Sequence, residues 1–150
     1  MPLYKKILFA TDFSEGSYKA CQHALEIAHL SGAQLYVLHV ITELMDKRRR
    51  RLPAEVVEIF AREVETHAIA DMKDFCKQYL STEKLNGIEL VTDVVIGRSE
   101  EEILRVAHAQ SVDLIVLGTA GRTGIEKVLV GSTAERVIRE AKVPVLTVRI

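Results

Sequence analysis

The stretch Gly118-Thr119-Ala120-Gly121-Arg122-Thr123-Gly124, with Gly131-Ser132-Thr133 after it, concentrates residues able to hold an anion. Glycines lack a Cβ, so the backbone turns tightly and brings its N–H groups close to a charged group. Ser132 and Thr133 add hydroxyl donors, and a helix opening there would add unpaired N–H groups and a positive dipole end. Arg122 and Lys127 either supplement that charge or face solvent. Two readings fit: a phosphate cradle, or a loop ahead of an ordinary helix cap. The spacing excludes several alternatives. No glycine is followed by Lys and then Ser or Thr, as the common P-loop requires. No G-x-G-x-x-G follows the first strand, and no G-x-S-x-G elbow is present. The five histidines form neither H-x-x-x-H nor a cluster with cysteine, so no structural zinc is expected. His39 either packs in the core or borders a ligand.

These residues need elements to hold them. Lys6–Ala10 reads as a short buried strand and Leu35–Ile41 as a second, apolar on both faces. Between them runs a helix with Ala20, Ala24, Ile27 and Ala28 inward, capped by Ser14 or Ser17 and stopped at Gly32. Helical spacing returns from Ala54 to Leu80, a length whose N-terminal part should fray or project. Ser81–Gly87 reads as a connector. Ile88–Ile96 is a strand with one wetter face, as at a sheet edge. Gly97 turns the chain, and Ser99 with Glu102 spells a capping box for the next helix. Val112–Leu117 is a fourth strand, the glycine connector follows, and Ser132 with Glu135 spells a second capping box. Val143-Pro144 ends that helix, and Val145–Ile150 is the fifth strand. Strands alternating with helices give an α/β fold: one domain over 1–150, an open five-stranded parallel sheet with helices on both faces. In such sheets ligands bind beyond the carboxyl ends of the strands, where the strand order reverses.

At this point the sequence resembles the universal stress protein family. Its ATP-binding members carry G-x2-G-x9-G-[ST] after the fourth strand, and Gly118, Gly121 and Gly131-Ser132 match that spacing. The opening Ile7-Leu8-Phe9-Ala10-Thr11-Asp12-Phe13-Ser14, the closing Val143-Pro144-Val145-Leu146-Thr147-Val148 and Gly97 are similar too. The likeness covers nearly the whole chain except 42–53 and parts of the long helix. It implies a Rossmann-like fold of the adenine nucleotide alpha hydrolase type, with strand order 3-2-1-4-5. It implies ATP, or ADP or AMP, as ligand. Ala10, Thr11 and Asp12 would line the nucleotide, and Val40 would meet adenine. Gly118 and Gly121 would approach ribose and phosphates, and Gly131, Ser132 and Thr133 would hold the phosphate chain. Ala10 and Ala120 depart from the proline and histidine common in relatives. Asp12 repels a bare polyphosphate. It either meets it through Mg2+ or Mn2+, bonds ribose hydroxyls, or closes a local turn.

A phosphoacceptor receiver domain is excluded by its missing acidic partner, its missing aspartate after the third strand and its missing lysine after the fifth. Slow ATP hydrolysis or autophosphorylation is compatible with the residues; fast turnover is not expected, because no base beyond Asp12 is evident. The expected role is a nucleotide-responsive regulator of stress. The alternative is an interaction protein of the same family that acts through its surface and dimer without nucleotide.

Composition bounds the partners. The 150 residues are 48% hydrophobic and 27% charged with a formal net charge of -1, which excludes wholesale disorder and bulk-charge binding of nucleic acid or membrane. Lys47–Arg51 is a local exception: a solvated linker first, then a patch for an unidentified protein partner, and last a site for nucleic acid. Cys21 and Cys76 read as buried free thiols of a reducing compartment. With no targeting core in Met1–Phe13 and no membrane-length apolar run, a cytoplasmic location is expected. The resemblance implies a homodimer through the last strand, Val145–Ile150.

Overall fold

The computed structural model describes residues 2–45, 51–119 and 130–149. Its elements are β1 (Lys6–Ala10), α1 (Glu15–Ser31), β2 (Gln34–Ile41), a 3-10 turn (Glu43–Met45), α2 (Ala54–Tyr79), α3 (Thr82–Leu85), β3 (Leu90–Ile96), α4 (Ser99–Ala109), β4 (Leu114–Gly118), α5 (Ser132–Glu140) and β5 (Val145–Val148). The strands form one parallel sheet in the order β3-β2-β1-β4-β5, with Ile7 beside both Leu35 and Leu114. The expected architecture and strand order are therefore present.

Alternation along the central strands builds two cores. Ile7, Phe9, Leu35, Val37, Leu114 and Val116 face α1 and the end of α2, packing on Ala20, Ala24, Ala28, Met72 and Phe75. Leu8, Leu38, Ile115 and Leu117 face α4 and α5, packing on Ile103, Val106, Ala134 and Val137. A strand covered on both faces reads as continuous hydrophobic sequence, which is why β1, β2 and β4 are so apolar. β3 lies at an edge and none of its residues is fully buried, in keeping with its wetter composition.

Local chemistry sets the boundaries. Gly32 ends α1 in the left-handed conformation at φ 66°, its N–H donating to the Ala28 carbonyl. All the buried residues of α2, Ala68, Met72 and Phe75, lie in its C-terminal half, while Val56, Ile59 and Phe60 are exposed. The N-terminal half thus stands clear of the sheet, as its length suggests.

Three local expectations are corrected. Ser99 and Ser132 are the first helical residues, not caps; Arg98 and Gly131 are the caps, and neither capping box forms. Glu102 bonds the Arg105 guanidinium at 2.6 Å, and Glu135 bonds that of Arg139. A charged hydrogen bond along the helix outcompetes a reach back to a backbone N–H. The connector 81–87 contains α3, capped by the Ser81 hydroxyl and closed by Asn86 at φ 43°. One helical turn is too short to show a period.

Candidate functional site

A cavity of about 500 Å³ opens at the carboxyl end of the sheet. It lies where the order reverses, since β1 pairs with β2 on one side and β4 on the other. Among the described residues, three chain corners form its wall.

The first corner follows β1. The Thr11 N–H donates to the Leu38 carbonyl at 2.9 Å, extending the ladder past the strand. The Thr11 hydroxyl, buried, bonds the Ser17 hydroxyl at 2.6 Å and accepts the Phe13 N–H at 3.0 Å. The Ser14 N–H donates to Asp12 Oδ1 at 3.0 Å, and the Ser14 hydroxyl bonds the same oxygen at 2.5 Å. Asp12 therefore closes an Asx turn, one of the roles open to it from sequence. Phe13 sits at φ 64°, a conformation costing a non-glycine residue roughly 1–2 kcal/mol. Its ring stacks on His39 at 4.1 Å, and His39 Nδ1 lies 2.8 Å from the Thr11 carbonyl. These bonds over-determine the turn and hold Thr11 and Asp12 at the cavity.

The second corner joins β4 to α5. The Thr119 N–H donates to the Val148 carbonyl at 3.1 Å, and the Gly131 N–H donates to the Thr119 carbonyl. A Cβ on Gly131 would lie 2.9 Å from that carbonyl oxygen, so the close approach requires glycine. The first N–H groups of a helix have no acceptor within it, and no cap side chain takes those of α5. Ser132, Thr133 and Ala134 line the cavity, and the positive dipole end of α5 faces it. Loss of the expected capping box thus leaves donors for an anion.

The third corner joins β2 and β3. The Gly97 N–H donates to the Ile41 carbonyl at 3.0 Å, and a Cβ on Gly97 would meet Glu102 Cγ at 2.6 Å. Arg98, Ser99 and Glu100 continue from there into α4, while Thr42, Glu43 and Met45 close the wall beyond β2.

The structure brings Ala10, Thr11, Asp12, Val40, Gly118, Gly131, Ser132 and Thr133 around this one cavity. Gly121 lies outside the described residues, as do Arg122, Lys127 and Lys47–Arg50. Sequence reasoning missed Thr42, Glu43, Met45, Arg98 and Glu100. The strand-end rule could have found Arg98, two residues past β3, whereas Glu100 already lies in the first turn of α4. Both cysteines are free, Cys21 buried and Cys76 half-buried; burial pushes the Cys21 thiol up to about 12 and raises that of Cys76. Neither lines the cavity. Among the described residues no group of three or more His, Cys, Asp or Glu could hold a metal, and no helix is long and apolar enough to cross a membrane.

Residues 3–149 match the model of the universal stress protein family. Universal stress protein MJ0531 of Methanocaldococcus jannaschii is 35% identical over 98% of this chain and 83% of its own length. The structure of MJ0577 from the same organism is 31% identical, covers 99% of this chain and 97% of its own, and gives a TM-score of 0.79. That of UspA from Lactobacillus plantarum is 28% identical with a TM-score of 0.81, covering 97% and 98%. A universal stress protein in complex with cAMP (24% identical, TM-score 0.60) and one from Archaeoglobus fulgidus in complex with dAMP (23%, 0.57) share the fold, each covering 97% of this chain, and 97% and 98% of their own lengths. The doubly wound sheet, the glycine-spaced connector and these likenesses lead to one assignment: the chain belongs to the universal stress protein family.

Proposed function

We propose that the cavity binds an adenine nucleotide (ATP, ADP or AMP) and that occupancy regulates a stress response through the surface offered to a partner. One observation carries this reading. Gly131 brings backbone within bonding reach of Thr119 while the uncapped first turn of α5 opens onto the reversal point of the sheet. That arrangement favours an anion, and a cavity of about 500 Å³ suits a ligand of nucleotide size. Gly118, Gly131, Ser132 and Thr133 hold the phosphates, with Gly121 completing the glycine spacing. Val40, at the end of β2, meets the base, and Ala10 and Thr11 leave room for the ribose. Other proteins of this fold hold cAMP and dAMP.

The residues present fit a metal only as a companion of the phosphates. Asp12 is one carboxylate, and one of its oxygens already serves Ser14. Mg2+ is commonly held by one or two carboxylates together with substrate phosphates. Mg2+ or Mn2+ would supply charge neutralisation between Asp12 and the phosphates.

The β5 edge carries Val145, Leu146 and Thr147 half-buried, an apolar edge suited to pairing with a second copy. Mass spectrometry of gently purified protein tests the ligand: co-purified adenine nucleotide is expected. No co-purified nucleotide, together with no heat on titration with millimolar Mg·ATP, refutes the reading.

A further inference from the structure

The described wall of the cavity carries three carboxylates, Asp12, Glu43 and Glu100, against one guanidinium, Arg98. The carboxylates of this wall repel a multiply charged anion and oppose the donors of α5, an opposition that lessens where a carboxylate is paired with a cation. Glu100 is one such carboxylate, paired with an arginine. Its Oε1 accepts a hydrogen bond at 3.3 Å from Nη1 of Arg136, which is not part of the wall. Arg136 stands one turn below Ser132 on α5, the helix whose first turn faces the anion. It also bonds Glu140 at 2.6 Å through Nε and lies 3.9 Å from Glu101 Oε1. Glu101 and Glu140 do not line the cavity; Glu100 does.

Resting on the nucleotide reading above, we infer that Arg136 is a positioning residue for ligand charge: it holds and neutralises Glu100, so that the cavity accepts a nucleotide with several phosphates. The side chain of Glu100 is about a quarter exposed and that of Arg136 about a third, at 24% and 36%, so neither charge is fully screened by water. Freed of Arg136, Glu100 presents a full negative charge to the ligand. The resulting penalty grows with the charge of the phosphate tail and vanishes for adenosine. A purely structural tie between α4 and α5 has no such gradient.

The test is calorimetric titration of the full chain with adenosine, AMP and ADP at low salt, using Arg136→Gln, Glu100→Gln, the double variant, and Arg136→Gln with Glu101→Gln. Thermal melts verify folding. Expected are a loss of about fivefold for ADP in Arg136→Gln, a smaller loss for AMP and none for adenosine, on the scale of one unit of charge acting through a partly solvated path. Glu100→Gln restores ADP binding in the Arg136→Gln background; Glu101→Gln does not. Equal loss for all three ligands, or equal rescue by both glutamines, overturns the inference while the nucleotide reading stands. Wild-type protein that binds neither AMP nor ADP overturns both. If Arg136→Gln fails to fold, the double variant carries the decision. It must bind ADP as Glu100→Gln does; weaker binding overturns the inference.

Discussion

Replacing Gly131 by alanine tests the core of the site. Its φ of -68° and ψ of 163° are open to alanine, so the penalty comes from contact alone. The added methyl would lie 2.9 Å from the Thr119 carbonyl oxygen, inside the separation that real Cβ atoms show. Relief is difficult because that oxygen accepts the Gly131 N–H while the Thr119 N–H is bonded to Val148. Either the bond to Thr119 lengthens or β4 and β5 shift. Overpacking of this kind costs about 1–3 kcal/mol. At about 2–4 °C per kcal/mol for a chain of this size, the melting temperature falls by roughly 2–12 °C. The same shift displaces the first turn of α5, so ADP affinity falls about tenfold, equivalent to about 1.4 kcal/mol. Differential scanning calorimetry reads the first effect and isothermal titration the second. Gly87→Ala is the control. Gly87 sits at φ 91° between α3 and β3 with nothing within 4 Å of the added methyl, so that variant loses stability through backbone strain and keeps its affinity. A Gly131→Ala protein that melts and binds like wild type refutes the argument that close backbone approach builds the site.

Four further outcomes follow from the structure. The Cys21 thiol, moved from 9.0 to about 12 by burial, holds about a thousandfold less thiolate near neutral pH than an unfolded chain, so iodoacetamide should label it only after unfolding. Because the folded value is the higher one, this thiol's contribution to stability is complete below pH 9 and is lost as the pH rises toward 12, which urea melts across that window can read. Thr11→Val leaves the buried Ser17 hydroxyl and the Phe13 N–H without their partner, and should cost about 1–3 kcal/mol in urea denaturation; an unchanged midpoint would show that the turn after β1 does not depend on Thr11. Light scattering over a wide concentration range should show a dimer that Leu146→Arg on the β5 edge dissociates; a monomer at every concentration removes the edge-pairing proposal.

Much of the scaffold was legible because burial writes itself into sequence. Strands covered on both faces show unbroken apolar runs, as in Leu35-Tyr36-Val37-Leu38, and Gly32 marks a helix end that only a left-handed residue can make. The strand-order reversal and the spacing of Gly118 and Gly131 pointed to one end of the sheet, where the structure has a cavity of about 500 Å³. What was illegible depended on competition or on distant pairing. Glu102 and Glu135 fit a capping rule, but Arg105 and Arg139 at helical spacing claim them. Met45 and Glu100 share a wall only because β2 and β3 end side by side, a register that no local pattern encodes. Arg136 and Glu100 are 36 residues apart and meet only once α4 and α5 pack together.

The bond between Gly131 and Thr119 has a wider consequence. It brings together the two points between which residues 120–130 run, so the sheet and α5 are already joined by a contact of their own. Residues inserted or removed between Thr119 and Gly131 would leave that contact, and with it the spacing of β4, α5 and β5, intact. Related proteins are therefore expected to vary in the length of this interval more than in the frame that flanks it.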